Sequence, residues 1–303
     1  MEVSKILRVQ ESSKSNEKNL KMYDTIEKFQ KTTIQHGRHN SRIYLMKLYE
    51  ADAPNIMQAM DELAQEKGYG KILAKVPGAL SSFFEQRGYL EEAAIPGFSR
   101  GSEDMVFMAK YFSPERRLEK HQGQINKILA IAQKKITGGS RSNCEHQDMI
   151  RRCTPSDARE MSSVYQRVFQ TYPFPIHDPE YLIDTMRRHI HYFCVREGKA
   201  VIALASSEID VDSLSAEMMD FATLPDWRRQ GLACRLLSQM EREMKRLGML
   251  TTYTIARALS PGMNITFAKM GYNYAGTLKN NCNISGCIES MNVWYKTLDS
   301  PVV

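Results

Sequence analysis

The chain has 303 residues, 42% hydrophobic and 25% charged, with 41 basic against 35 acidic side chains and a net charge of +6. That length has room for two domains, and the composition is that of a globular protein. No apolar run approaches the roughly 18–20 residues that span a bilayer, and the polar first 19 residues lack a signal-peptide core, so the expected setting is cytoplasmic, without a membrane partner.

The positive excess is local. Residues 1–50 hold ten basic and six acidic side chains, residues 113–152 hold nine and four, and residues 153–303 are balanced. No aromatics are interleaved with the charges of the second stretch, so solvated surface is the simpler reading and a nucleic-acid partner is disfavoured. The six cysteines (Cys144, Cys153, Cys194, Cys234, Cys282 and Cys287) form no C-x-x-C pair and no zinc spacing. Reduced, mostly buried thiols are expected. His189 and His191 are the sole metal candidates, and no carboxylate stands at a matching spacing, so no metal is expected.

Residues 1–19 read as a disordered tail. Residues 20–112 form a first region. Within it, 21–35 read as helical or irregular and 41–48 as a strand. A helix follows Pro54, with Ile56, Met57, Met60, Leu63 and Ala64 on one face and Gly68 ending it. A buried strand at 71–76, a short helix at 80–86, Gly88-Tyr89, a strand at 90–95, a loop at 96–101 and a strand at 104–111 complete the region. Residues 113–149 form a basic linker with a helix over 118–135, and Gly138-Gly139-Ser140 marks a domain boundary.

Residues 150–303 form the second domain. Thr154-Pro155 opens a helix that runs to Phe169. The prolines of Tyr172-Pro173-Phe174-Pro175-Ile176 stiffen a loop suited to be a pocket wall. Asp178-Pro179 starts a helix through Arg188, and residues 190–196 and 200–208 form a hairpin around Glu197-Gly198-Lys199.

The domain is organised around residues 216–248: an apolar strand, the turn Arg228-Arg229-Gln230-Gly231-Leu232-Ala233, and a helix with Leu232, Leu236, Leu237, Met240, Met244 and Leu247 at helical spacing before Gly248. The first N–H groups of a helix are unpaired and lie at its positive end. A strand–basic turn–helix unit is therefore a candidate pyrophosphate cradle, though a solvated helix start fits the turn equally well. A strand at 252–258, a short helix at 264–270, Gly271-Tyr272, a strand at 275–278, a polar loop and a strand at 290–296 follow. This order repeats the first region, and the pairs Phe84/Phe267, Gly88/Gly271 and Tyr89/Tyr272 keep the same offsets. The first region has no counterpart of the basic turn and reads as a degenerate, non-catalytic relative.

Helix–helix–hairpin–strand, then R-x-x-G-x-A, helix, strand, short helix and two strands resembles the GNAT superfamily of acetyl-CoA-dependent N-acetyltransferases over about residues 150–298. The expected fold class is α/β (α+β): a mixed twisted sheet flanked by helices, preceded by a degenerate GNAT-like region. The segments YPFPI (172–176), DFATLP (220–225), TIARALSPGMNITFAKMGY (254–272) and ESMNVWYK (289–296) more closely resemble the β-lysine N-acetyltransferase family. That resemblance implies acetyl transfer from acetyl-CoA to the N6 amine of β-lysine (3,6-diaminohexanoate), giving the compatible solute Nε-acetyl-β-lysine. It implies pantetheine contacts from the backbone of Ala222, Thr223 and Leu224. It places the pyrophosphate on the N–H groups of Arg229–Ala233 beside Arg228, with Asn264 as a further cofactor contact.

Acetylation needs a neutral amine, whereas a free alkyl ammonium has a pKa near ~10.4, so a base must take a proton. Glu217 is the first candidate, by analogy with the strand glutamate of related enzymes. Side-chain alternation puts Asp220 on the opposite face, as a structural or ammonium-binding carboxylate. The position where many GNAT enzymes carry a tyrosine acid is Phe267 here, on the cofactor side, and phenylalanine cannot donate a proton. Tyr272, Tyr274 or water are the replacements. Tyr172, Phe174, Asp178 and Glu289 are the leading pocket candidates, with Glu208, Arg257, Asn280 and Asn281 behind them. The alternatives are a GNAT enzyme for another diamine, amino acid or polyamine, and a non-catalytic acetyl-CoA-binding or nucleic-acid-associated protein. Oligomeric state is open, a homodimer included.

Overall fold

The computed structural model describes residues 7–9, 23–136, 150–284 and 286–298. Most of the expected tail and the expected boundary at 138–140 lie outside them. The first half contains β1 (Leu7–Val9), β2 (Thr25–Phe29), β3 (Thr32–Gly37), β4 (Arg42–Lys47), α1 (Ala53–Lys67), β5 (Lys71–Pro77), α2 (Ser81–Glu85), β6 (Leu90–Ser99) and β7 (Glu103–Tyr111). α3 (Pro114–Arg117) and α4 (Gln122–Ile136) connect it to the second half. There follow β8 (Ile150–Arg152), α5 (Ala158–Val168), α6 (Pro179–Arg188), β9 (Ile190–Glu197), β10 (Ala200–Asp210), β11 (Ser215–Thr223), α7 (Leu232–Arg246), β12 (Thr251–Arg257), α8 (Pro261–Lys269), β13 (Asn273–Ile284) and β14 (Cys287–Thr297).

Two expectations need correction. Residues 23–35, the described part of the stretch expected to be helical or irregular, are not helical: β2 and β3 form an antiparallel hairpin there, and even Leu7–Val9 pairs with β2. The polar stretch after Leu278 is not a loop, because β13 continues through it to Ile284 with a register slip between Leu278 and Cys282. In both places strand pairing supplies what a local apolar pattern did not announce.

All fourteen strands form one sheet, in the order β1-β2-β3-β4-β5-β7-β6-β13-β14-β12-β11-β10-β9-β8. The order β2-β3-β4-β5-β7-β6 matches β9-β10-β11-β12-β14-β13. In each half one parallel pair, β4 with β5 and β11 with β12, is bridged by a crossover helix. The likeness reaches single side chains. Phe84 and Tyr89 meet edge to face at 5.1 Å, Phe267 and Tyr272 at 5.0 Å. The intervening Gly88 and Gly271 take φ of 83° and 81°.

Helix α7 shows how local sequence sets an element. Leu232, Leu236, Leu237, Met240 and Met244 bury one face against the sheet. Its end is a Schellman turn: Met249 N–H bonds the Met244 carbonyl, Gly248 N–H bonds the Lys245 carbonyl, and Gly248 takes φ 77°. In the first half, Ile43, Leu45, Ile72, Ala74 and Val76 pack under α1 and α2. The alternate residues of the same strands, among them Arg42, Tyr44, Leu73 and Lys75, point to the other face. Among the described residues, no counterpart of α5 and α6 covers that face in the first half.

The halves join where β6 meets β13, at Ala93 and Gly276. The register slip in β13 leaves carbonyls of 279–281 outside the β14 ladder, and cations of the first half bind them. Lys71 Nζ bonds the Lys279 carbonyl and Glu92 Oε2, both at 2.7 Å; Arg116 Nε bonds the Asn280 carbonyl at 2.7 Å; Arg42 Nη1 bonds the Asn281 carbonyl at 3.1 Å. Buried carbonyls need such partners. Gly276 takes φ 151°, and a Cβ there would stand 2.6 Å from Ala93 Cα and against the Glu92 carbonyl. Gly276→Ala is therefore expected to destabilise the protein by about 3 kcal/mol or more, through strain and loss of this seam. A urea titration should show the lowered midpoint.

Candidate active site

β11 and β12 are in register at Ser215/Thr251, Ala216/Thr252 and Glu217/Tyr253. Beyond Glu217 that ladder ends and a slot opens between the strands. Past the slot, Pro225–Trp227 turns the chain and Arg228–Gly231 leads into α7. Arg229 and Gly231 both have positive φ, 65° and 73°, and Gly231 is the residue before the helix. A Cβ at Gly231 would meet nothing within 4 Å, so its backbone angle rather than crowding favours glycine. The first N–H groups of α7 thus face outward beside two guanidinium groups, as an anion cradle requires.

The slot continues into a cavity of about 1130 Å³ that both halves of the chain line. Its second-half wall carries Glu217, Met219, Asp220, Tyr172, Phe174, Tyr253 and Glu208. Its first-half wall carries Thr33, Gln35, Arg42, Tyr44, Leu73 and Lys75.

Asp220 is not on the face opposite Glu217. The β10–β11 register slips between Leu204 and Ser206, and Asp220 takes φ 58° in the resulting bulge. Its Oδ2 accepts from Ser206 Oγ at 2.5 Å, and its Oδ1 accepts from the Tyr172 hydroxyl. Ser206 lies two residues from Glu208, which stands directly across from Glu217. All three carboxylates therefore share one face. Burial pushes Glu217 up to about 7, reinforced by the Glu208 charge and opposed by Lys75 and the Tyr253 hydroxyl. Burial pushes Asp220 up to about 6, against the hydrogen bonds from Ser206 and Tyr172. A carboxylate poised near neutral pH is matched to general-base work.

Arg228, Arg229, Gly231, Leu232, Ala233 and Thr223 all line the slot, whereas Gln230 does not. Alternation divides the three residues expected to offer free backbone. Leu224 N–H is spent on the Ile202 carbonyl at 3.0 Å, and Ala222 falls in the same hydrogen-bonded class with β10. Thr223 alone of the three presents its backbone to the slot. Phe267 reaches the slot edge but packs edge to face on Phe221 and Tyr272.

Five other expected residues sit elsewhere. Asn264 is buried with its amide spent: it donates to the carbonyls of Arg257 (3.0 Å) and Ser260 (2.7 Å) and accepts from Asn292 (2.8 Å) and Trp294 (2.9 Å). It fixes the junction of β12 and α8 and has no donor left for a cofactor. Tyr272 is buried on the α7 side, 3.0 Å from Thr252 Oγ1, away from the cavity. Tyr274 bonds Thr277. Asp178 accepts from Glu180 N–H at 3.0 Å as the cap of α6. Glu289 lies behind the cavity wall and holds Arg257 in a two-pronged ion pair at 2.6 and 2.9 Å. Arg257 itself lines the cavity.

Sequence reasoning missed Tyr253 and the whole first-half wall. The alternation in Arg42–Lys47 marked an inward set, but nothing in it said that this face meets a cavity 175 residues away.

Splayed strands with a helix N-terminus at their mouth, in this strand order, define an acyl-transfer scaffold of GNAT type. The family model "Acetyltransferase (GNAT) family" matches residues 158–272. A protein of Methanococcus maripaludis described as beta-lysine N(6)-acetyltransferase is 38% identical over 87% of this chain and 95% of its own length. One of the same description from Methanosarcina mazei is 29% identical over 80% and 97%. The crystal structure of the ribosomal-protein-S18-alanine N-acetyltransferase from Escherichia coli covers 51% of this chain and 95% of its own, at 19% identity and a TM-score of 0.44. The chain belongs to the β-lysine N(6)-acetyltransferase family, and it is an N-acetyltransferase.

Because folding raises the pKa of Glu217 and Asp220, their protonation favours the folded state. That contribution is complete below about pH 4 and is lost as the pH rises through about 6–7. Glu217→Gln, which cannot ionise, is expected to raise Tm relative to the parent protein at pH 8 and to change it little at pH 5. Thermal melts at the two pH values check this.

Proposed function

We propose that the protein transfers the acetyl group of acetyl-CoA to the N6 amine of β-lysine. The observation that carries the reading is the single cavity that joins an anion cradle, an unpaired strand edge and buried carboxylates poised near neutral pH. The kinship of the whole chain to the Methanococcus maripaludis protein supports the choice of amine.

The slot fits the proposed cosubstrate. Arg228, Arg229 and the N–H groups at the start of α7 match a pyrophosphate, and the slot-facing N–H of Thr223, whose carbonyl accepts from Arg228 Nε at 3.3 Å, matches the amide arm of pantetheine. Bound acetyl-CoA supplies an activated acetyl thioester at the inner end of the slot. Glu217 accepts a proton from the N6 ammonium, directly or through water. The free amine attacks the thioester carbonyl, the C–S bond breaks as the C–N bond forms, and the thiolate of coenzyme A leaves and takes a proton from solvent. Asp220, bridged by Ser206 and Tyr172, holds the approaching ammonium without leaving the face that carries Glu217. Burial holds the Tyr172 and Tyr253 phenols well above their usual range, so both keep their protons. Both line the cavity. Acetylation removes one of two ammonium charges, and the product is a neutral zwitterion. Such a molecule accumulates without a counter-ion, consistent with a compatible solute of the cytoplasm.

The test follows free thiol with acetyl-CoA and a panel of β-lysine, lysine, spermidine and a basic peptide. Fast release with β-lysine is expected; release with another amine and none with β-lysine would overturn the reading. In the productive reaction, kcat/KM should rise with pH through about 7 as Glu217 ionises. Glu217→Gln should lower it by about 10²–10⁴-fold at pH 7 and approach the parent value at high pH, where the free amine needs no base. Arg228→Ala with Arg229→Ala should raise KM for acetyl-CoA about tenfold or more, and salt should narrow the gap.

A further inference from the structure

The first-half wall of the cavity contains polar groups with no structural use for their hydrogen-bonding capacity. Gln35 is 1% exposed and lines the cavity, yet neither its amide nitrogen nor its amide oxygen has a partner. Asn281 is 3% exposed, and its amide oxygen is also unpartnered. Both are costly to leave in that state: an unpaired buried polar group costs about 1–3 in kcal/mol, and natural proteins keep few of them without a ligand or a function.

Arg42 makes the set chemically specific. It is 4% exposed, lines the cavity, and its Nη1 bonds the Asn281 carbonyl. The other cations of the seam are used up: Lys71 has Glu92, and Arg116 has three carbonyl contacts. Arg42 has no carboxylate partner among the described residues, and its remaining N–H groups are in the fork that matches a carboxylate. A buried guanidinium without an anion is an unfinished ion pair.

Their positions are fixed by sheet register. Arg42 and Tyr44 are two apart on β4 and share a face, with the guanidinium 5.1 Å over the Tyr44 ring. Gln35 on β3 is directly across from Tyr44. Tyr44 is acted on by the charges of Glu217 and Glu208 and by that of Arg42. Tyr44 thus stands within reach both of the carboxylates of the second-half wall and of the Arg42 guanidinium, with Gln35 beside it.

We propose that the first half of the chain, together with Asn281 of β13 at the seam, supplies the recognition subsite for the non-reacting end of an amino-acid substrate: Arg42 binds its carboxylate, and the amide oxygens of Gln35 and Asn281 accept from its second ammonium. The first half is then not a spent copy. Its described residues place no helix on the face that α5 and α6 cover in the second half, and that face forms half of the substrate site. The inference rests on the proposed reading of the substrate as a diamino acid, and its test separates the two.

Gln35→Leu and Arg42→Met are assayed beside the parent protein, with β-lysine, its carboxamide (3,6-diaminohexanamide) and 1,5-diaminopentane as amines. Because Gln35 has no partner to lose, Gln35→Leu should fold with an unchanged or higher Tm, which a merely structural role would not give. It should raise KM for β-lysine at least tenfold while kcat falls less than threefold and KM for acetyl-CoA stays. Arg42→Met should erase the preference for β-lysine over its carboxamide, a loss of tenfold to a hundredfold in relative kcat/KM. Folded variants with KM for β-lysine within twofold of the parent and an intact carboxylate preference would overturn the proposal and leave the acetyltransferase reading standing. If the parent prefers lysine, the β-lysine reading falls and the same variants test the subsite on lysine. A parent that prefers 1,5-diaminopentane overturns both.

Discussion

One extra residue in β11 governs the site. At Asp220 the strand bulges, the backbone turns to positive φ, and the pairing with β10 slips. The same stretch is where β11 leaves β12. The bulge thereby does two things at once. It places Glu217 and Asp220 on one face, and it lies beside a strand edge that no neighbour uses. Aspartate tolerates the left-handed conformation better than most side chains. The Ser206 and Tyr172 hydroxyls then hold its carboxylate in a setting that would otherwise expel it. The cost of burying these acids appears as their raised affinity for protons, which is also what fits Glu217 to take one.

A second irregularity joins the halves. Where β13 slips against β14, its carbonyls are freed, and Lys71, Arg42 and Arg116 reach across to bind them. The two halves repeat one strand order and even one Phe–Gly–Tyr turn, yet they have diverged in what covers the sheet. In the second half α5 and α6 pack on the face that carries the carboxylates. In the first half the described residues place no helix on that face, and its side chains, Gln35, Arg42 and Leu73 among them, are buried against the cavity and the second half. The two similar strand orders line one cavity with unlike walls, one carrying Glu208, Glu217 and Asp220, the other Arg42 and Lys75.

Much of this could be read locally. The heptad-like leucines and methionines of α7, the Gly248 stop, the basic turn and the matched Phe/Gly/Tyr offsets are patterns of neighbours in sequence. Where reading went wrong, the deciding partner was remote. Residues 23–35 looked irregular because their strand character comes from pairing with β4 and β1 rather than from apolar alternation. Asn264 looked like a cofactor contact because its bonds to Asn292 and Trp294 lie 28 and 30 residues on. Glu289 looked like a pocket carboxylate but braces Arg257, 32 residues away, whereas Asp178 caps α6 through Glu180, a local contact that Asp178-Pro179 already announced.

The sequence by itself determined the class of scaffold and the place of the cradle, because helix period, turn glycines and the N-terminal dipole are short-range properties. Only the tertiary structure decided which side chains share the cavity. Face assignment along a strand depends on register, and a single bulge reverses it. The approach of Gln35 and Arg42 to Glu217 depends on two half-sheets meeting at Ala93 and Gly276, a contact that no window of sequence contains.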